Sequence, residues 1–330
     1  MKATAFSRLL ETFFVQRLMR QRQVSPHTIS SYRDTFRLLL QFAKQRLHTA
    51  PSRLAFEQID APLIAAFLDD LETNRKVTTR TRNLRLAAIR SFFHYTAYEE
   101  PAHVSQIQRV LAIPGKRCSK RLVQFLNPAE TEALLAAPDQ RTWHGRRDYT
   151  FLMVAIQTGL RLSELTELRR EDLHLGPGAH VRCVGKGRKE RGTPLTKQVV
   201  VALKTWLSEL DPKSERLFPN ARGLRLSADA IQRLLAKYQQ KAARTCPSLK
   251  QEHLTPHVLR HTAAMRLLQA GIDRSVIALW LGHESVETTQ IYLDADLVLK
   301  EQALAKTTQA GGACRLFKPE DPLLAFLKSL

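Results

Sequence analysis

Apolar residues recur along most of this chain at intervals of three and four, the helical period, and one stretch alternates at the period of a strand. In ATAFSRLLETFFVQRLMR, Phe6, Leu9, Leu10 and Phe13 form a single stripe. SPHTISSYRDTFRLLLQFAKQR opens on Ser25 as cap with Pro26 in the first turn, then repeats Ile29, Tyr32, Phe36 and Leu39. APLIAAFLDDLETN, capped by Asp60, predicts a third helix. TTRTRNLRLAAIRSFFHYTAY predicts a fourth, with Leu84, Ala88, Ile89, Phe92 and Phe93 as its buried stripe, and a shorter helix follows Pro101. Residues 1–113 therefore read as a compact helical bundle.

The pattern breaks at IPGKRCSKRLVQFL, where Pro114–Gly115 and a run of like charges mark a linker over residues 114–123. NPAETEALL then restarts helix, with Asn127 as cap, Pro128 in the first turn and Glu130 three residues after the cap. A second domain spans residues 124–310. Within it TGLRLSELTEL ends one helix at Gly159 and begins another. AHVRCVGKGRKERGTPL alternates, turns at Gly185–Gly187 and returns, which predicts a β-hairpin. TPHVLRHTAAMRLL is capped by Thr255 and Pro256 and stopped by Gly271, and DRSVIALWLGH makes another apolar helix closed by Gly282. Ser285 caps a further short helix carrying Tyr292. The expected fold is mainly α with a small β-hairpin or sheet, in two domains, followed by a tail over residues 311–330.

Charge changes the picture most. The 330 residues hold 51 Lys+Arg against 31 Asp+Glu, a formal net of +20, which points to a polyanionic partner. The first 123 residues carry 21 of the bases and only 9 of the acids. On the fourth helix and the turn before it, Arg75, Lys76, Arg80, Arg82, Arg85 and Arg90 follow one another with no acid between, as expected of phosphate contacts. Lys116, Arg117, Lys120 and Arg121 suit a linker running along a phosphate backbone. Apolar runs such as FLMVAI at 151–156 fall far short of the roughly 20 residues a spanning helix needs, so no membrane partner is expected. Cysteines 118, 183, 246 and 314 are scattered without a C-x-x-C pair, which implies neither a disulfide framework nor a zinc site, in a reduced, cytoplasmic protein.

Four places carry candidate chemistry. Arg161 and Glu164 are either a surface ion pair or a guanidinium oriented by its carboxylate to grip a phosphate. Lys186, Arg188 and Lys189 at the hairpin tip either touch DNA or place one ammonium in the minor groove as a proton donor. His257, Arg260 and His261 share a face at i, i+3 and i+4. A zincin-type metal pair fails there, because Val258 replaces the general-base Glu and an arginine between ligands repels a dication. An anion site or a solvated face remains. His283 follows a helix end, with Tyr292 nine residues later.

Taken together, T-G-L-R-x-S-E-L, the G-K-G hairpin, H-x-L-R-H, and L-G-H followed by Tyr nine residues on resemble the tyrosine recombinase (phage integrase) family over nearly the whole chain. The resemblance implies a helical, SAM-like core-binding domain and a catalytic domain closing on duplex DNA as a C-shaped clamp. It implies Tyr292 as nucleophile, forming a 3′-phosphotyrosyl link, and Arg161 and Arg260 as the clamp on the phosphate, with His283 as a further donor. His257 accepts the tyrosine proton, Lys186 protonates the leaving 5′-oxygen with Lys189 as rival, and Glu164 orients the pocket. Neither metal nor cofactor is required. The partners implied are double-stranded DNA at specific recombination sites, a homotetramer at synapsis, and accessory proteins. With the bundle starting near residue 1, an amino-terminal arm-binding domain is not expected, as in Xer-like or transposon-borne members. A type IB topoisomerase uses the same residue types, and a catalytically silent DNA-binding regulator is the alternative from another class.

In the family a carboxy-terminal segment often docks on a neighbouring subunit, and Leu323, Leu324, Phe326 and Leu327 after Gly311–Gly312 suit that role or a short helix folded back in cis. Deleting residues 311–330 is expected to leave DNA binding intact and to impair synapsis, measured by gel shift and by a two-site recombination assay; undiminished recombination would refute trans docking.

Overall fold

The computed structural model describes residues 5–118, 123–185, 190–250 and 253–282, in two compact units that divide between Lys120 and Arg121. Lys120, Arg121, Lys186, Arg188, Lys189, His283, Tyr292 and the tail lie outside the described residues.

The first unit is helical: α1 (Ala5–Thr12) runs directly into a π-helical segment (Phe13–Gln21), followed by α2 (Pro26–Leu47), α3 (Ala61–Thr73), α4 (Thr79–Glu99) and α5 (Val104–Leu111). The caps do what their side chains suggest. Ser25 accepts from the amide of Thr28, and Asp60 accepts from that of Leu63 at 2.9 Å. The π segment was not legible in the periodicity. Its i→i+5 bonding reduces the angle between successive residues, so Phe13 and Phe14 both reach Phe36, with ring centroids at 6.3 and 5.9 Å. Phe13, Phe36, Phe92 and Phe93 then form an edge-to-face core in which Phe92 meets Phe36 at 5.4 Å and Phe93 at 5.5 Å.

Helix α4 departs from its expected stripe. Leu84 points to solvent at 62% exposure, and Leu86 takes the inward position. Arg82 instead is buried at 5% exposure and donates to the carbonyl of Pro114 at 3.0 Å. Arg90 donates to the carbonyl of Ile113. Asn83 behaves like a strand neighbour: its Nδ2 donates to the carbonyl of Lys116 at 2.7 Å and its Oδ1 accepts from the Lys116 amide at 3.1 Å. Lys116 also pairs with Glu72 of α3. The segment 113–118 is therefore strapped to α4 by side chains satisfying its backbone.

The second unit contains α6 (Pro128–Ala136), α7 (Trp143–Thr158), α8 (Leu162–Glu167), α9 (Lys197–Glu209), α10 (Ala228–Ala242), α11 (Pro256–Gln269) and α12 (Arg274–Leu281). Between α8 and α9, β1 (Leu173–His174), β2 (His180–Val184) and β3 (Glu190–Pro194) form an antiparallel sheet in that order. The expected hairpin is β2–β3, in a register that pairs Cys183 with Arg191; β1 adds an edge of two residues. Asn127 and Glu130 close a capping box on α6. The core gathers around Phe151, Trp206, Phe218 and Leu235. Inside it Asp148 accepts from Arg147 at 2.7 Å and from the Tyr238 hydroxyl at 2.8 Å, so these three buried polar side chains satisfy one another.

Asn83→Ala should free the strap: trypsin is expected to cut after Lys116 and Arg117 several-fold faster than in the parent protein, with thermal unfolding little changed. Equal cutting rates would show that the amide does not hold the segment.

Candidate active site

The site is built where two helices end. Helix α7 stops at Gly159, whose φ of 63° is left-handed, and α12 stops at Gly282 with φ of 64°. A Cβ on Gly159 would lie 2.7 Å from Leu281 Cδ2 and 3.0 Å from Ala263 Cβ, so the end of α7 packs directly on α11 and α12. Helix C-termini expose unpaired carbonyls and carry partial negative charge. Two arginines meet that demand. Arg260, on α11 and only 5% exposed, donates from Nη1 to the Gly159 carbonyl and from Nη2 to the Leu281 carbonyl, both at 2.7 Å. Arg161 donates from Nη2 to the Gly282 carbonyl at 2.9 Å.

Arg161 is the N-cap of α8 and Glu164 sits one turn inside it. The Arg161 amide donates to Glu164 Oε2 at 2.7 Å, and its Nη1 donates to Oε1 at 3.1 Å. The Arg161 side chain keeps 30% of its surface exposed, against 4% for Glu164. The carboxylate is thus the buried organiser and the guanidinium the group facing outward.

A second arginine, which the sequence reading did not single out, completes this arrangement. Arg191 on β3 donates from Nη1 to Glu164 Oε1 at 3.0 Å and from Nη2 to Oε2 at 2.7 Å, a fork-to-fork pair. Burial pushes the Glu164 carboxyl up, but the bonds from Arg191, then from Arg161, more than offset it and hold it below the usual range. Glu164 is therefore ionised at neutral pH. No signal in the sequence marked Arg191: it shares a strand face with Thr193, but that this face is buried, and that the arginine meets a carboxylate there, appears only in the structure. Its cross-strand neighbour Cys183 is pushed up to about 11 by burial and stays a thiol.

On α11, His257 is exposed and His261 half-buried, with ring centroids 6.4 Å apart. Burial, then the neighbouring His257 and Arg260, push His261 down to about 4, so its ring is neutral at pH 7. Of the trio, Arg260 is buried and His261 half-buried, so only His257 presents its ring to solvent.

The residues singled out for DNA contact divide. Arg75, Lys76, Arg80, Lys116 and Arg117 are exposed. Arg75 pairs with Asp70 at 3.4 Å. Arg85 is half-buried, and Arg82 and Arg90 are spent on the strap, so Arg82 in particular is a structural tie and not a presented cation. Among the described residues no group of three or more His, Cys, Asp or Glu is placed to hold a metal, and no helix is long and apolar enough to cross a membrane.

Comparison with known proteins follows the same division into two parts. The sequence model of the phage integrase family matches residues 124–297, and that of the phage integrase N-terminal SAM-like domain matches residues 12–100. A predicted integrase/recombinase of Sinorhizobium fredii, y4rC, is 61% identical over 330 residues, covering 100% of this chain and 99% of its own. Tyrosine recombinase XerC of Pelotomaculum thermopropionicum is 33% identical over 290 residues, covering 84% of this chain and 91% of its own. Among solved structures, the XerH recombinase bound to palindromic difH substrate in a post-cleavage complex shares the fold with a TM-score of 0.67 at 24% identity, covering 86% of this chain and 81% of that one.

Gly282→Ala should cost more than Gly178→Ala, although both glycines have positive φ. A Cβ at 282 would lie 2.7 Å from Arg191 Nη1, whereas one at 178 meets nothing within 4 Å. Denaturant unfolding should give about 1 kcal/mol for the strain at Gly178 and roughly 2–3 kcal/mol at Gly282; equal losses would mean that Arg191 yields without cost.

Proposed function

We propose, from the premise that this chain belongs to the phage integrase family and is a tyrosine-type site-specific DNA recombinase, that it breaks and rejoins DNA through a 3′-phosphotyrosyl intermediate carried on Tyr292. The Tyr292 oxygen attacks the scissile phosphorus, the bond to the 5′-oxygen breaks, and a 5′-hydroxyl leaves. The 5′-hydroxyl of a second strand reverses the step and reseals the DNA. Bond energy is conserved in the phosphotyrosine, so no high-energy cofactor enters the balance.

Each step places a demand on a named residue. A phenol with a pKa near 10 must lose its proton, and exposed His257 is the group assigned to accept it. Lys186 supplies the proton to the departing 5′-oxygen, with Lys189 as its rival. Negative charge on the non-bridging oxygens calls for cations fixed in advance. Arg161 and Arg260 supply them, Glu164 orients Arg161, and His283 donates a further hydrogen bond.

The observation that carries this reading is the convergence of Arg161 and Arg260 on the ends of α7 and α12, immediately before His283 in the chain. Both guanidiniums are held by backbone carbonyls, so little reorganisation precedes phosphate binding. Arg75, Lys76, Arg80, Arg85, Lys116 and Arg117, with Lys120, Arg121, Arg188 and Lys189, are the backbone contacts we assign on the DNA. A homotetramer at synapsis, accessory proteins and a cytoplasmic setting complete the proposal.

The test is capture of covalent protein–DNA adducts from rapidly denatured cells, with Tyr292→Phe alongside. Adducts at one repeated junction, absent from the variant, are the expected result. Arg161→Ala should lower adduct yield on that junction by about 10²–10³-fold, the loss of about 3–4 kcal/mol associated with one oxyanion-type donor. Adducts scattered without sequence preference would instead mark a type IB topoisomerase, and DNA binding with no adduct a silent regulator.

A further inference from the structure

We propose that Arg191 is a positioning residue for strand cleavage: its fork fixes Glu164 so that Glu164 aims Arg161 without neutralising it, and ties strand β3 to the phosphate clamp. The inference rests on the reading of Arg161 as a phosphate ligand.

Glu164 accepts four hydrogen bonds, two on each oxygen, from the amide and Nη1 of Arg161 and from both Nη atoms of Arg191. One carboxylate is thereby shared between two guanidiniums, and the cluster keeps a net positive charge. A lone Glu164–Arg161 pair would be neutral, and its cation a weaker ligand for a phosphate. Arg191 takes up half of the carboxylate's acceptor capacity and leaves Arg161 with charge to spend.

Arg191 is only 11% exposed on its side chain, and its Nε is buried with no hydrogen-bond partner among the described residues. Burying a guanidinium with one N–H unpaired is expensive, and an apolar side chain would fill the same space more cheaply. An ordinary strut of the fold would not need a cation there. What the cation supplies is the planar fork that sets both the position and the rotation of the Glu164 carboxylate.

Arg191 is the second residue of β3, and Lys186 lies in the chain between the end of β2 and the start of β3. The Arg191 guanidinium also packs on Gly282, where a Cβ would come within 2.7 Å of Nη1, and His283 is the next residue. One side chain therefore joins the hairpin that carries the assigned general acid, the carboxylate behind Arg161, and the backbone leading into His283.

The experiment compares the parent protein with Arg191→Gln and Arg191→Lys on a nicked duplex built on the junction recovered from parent adducts. Affinity is measured by gel shift, and the adduct-forming rate at saturating DNA. For Arg191→Gln the saturated rate should fall on the order of 10- to 100-fold, as for loss of a residue that orients a ligand-bearing group, while affinity changes by less than about threefold. Arg191→Lys keeps the charge but not the fork and should recover part of the rate. In a Glu164→Gln background, Arg191→Gln should add little, because the two act as a unit. A saturated rate equal to the parent's would overturn the proposal, as would a loss tracking only the fraction of folded protein. If Arg191→Gln fails to fold, a well-folded Arg191→Lys with a reduced saturated rate supports the proposal, and one with the parent rate overturns it. Absence of adducts from the parent itself would remove the recombinase reading, and this inference with it.

Discussion

A carboxylate buried between two guanidiniums is the interaction around which this site is arranged. Glu164 comes from the first turn of α8, Arg161 from its cap and Arg191 from β3, so one ionised group joins a helix start to the sheet. Buried ion pairs add little to stability when complete, yet breaking one by removing a single partner costs about 3–5 kcal/mol. Such a pair therefore tolerates little drift in the elements that carry it. On the function proposed here its value lies in fixing the angle of Arg161, the only member of the three with substantial exposure.

The same economy governs the other half of the site. Helices α7 and α12 end on left-handed glycines, and the carbonyls left over are the acceptors that hold Arg260 and Arg161. In many helices those carbonyls turn to water. Here they preorganise two cations, and the packing of Gly159 against Ala263 and Leu281 keeps the two helix ends together. Fold and site are thus built from the same hydrogen bonds.

What the sequence made legible was local. Caps at Ser25, Asp60, Asn127 and Thr255 depend on neighbours within one turn, and each forms as read. The hairpin was also legible, because alternation and a glycine turn are short-range signals. Properties that depend on distant partners were not. Arg82 reads as one more base in a basic run, and only the carbonyl of Pro114, thirty-two residues on, turns it inward and leaves Leu84 outside. Arg191 needs Glu164 from twenty-seven residues earlier to become meaningful. The π register of Phe13–Gln21 goes with the packing of Phe13 and Phe14 on another helix, which no single-segment period contains.

On the proposed mechanism Arg161 and Arg260 serve by opposing charge on the scissile phosphate. Replacing one non-bridging oxygen by methyl, as a methylphosphonate, removes that charge and leaves the bond to be broken. The ratio of cleavage rates between the parent protein and Arg161→Ala should then shrink at least tenfold relative to the ratio on ordinary phosphate. An unchanged ratio would mean that Arg161 supports the fold or the DNA contact, and that charge neutralisation lies elsewhere.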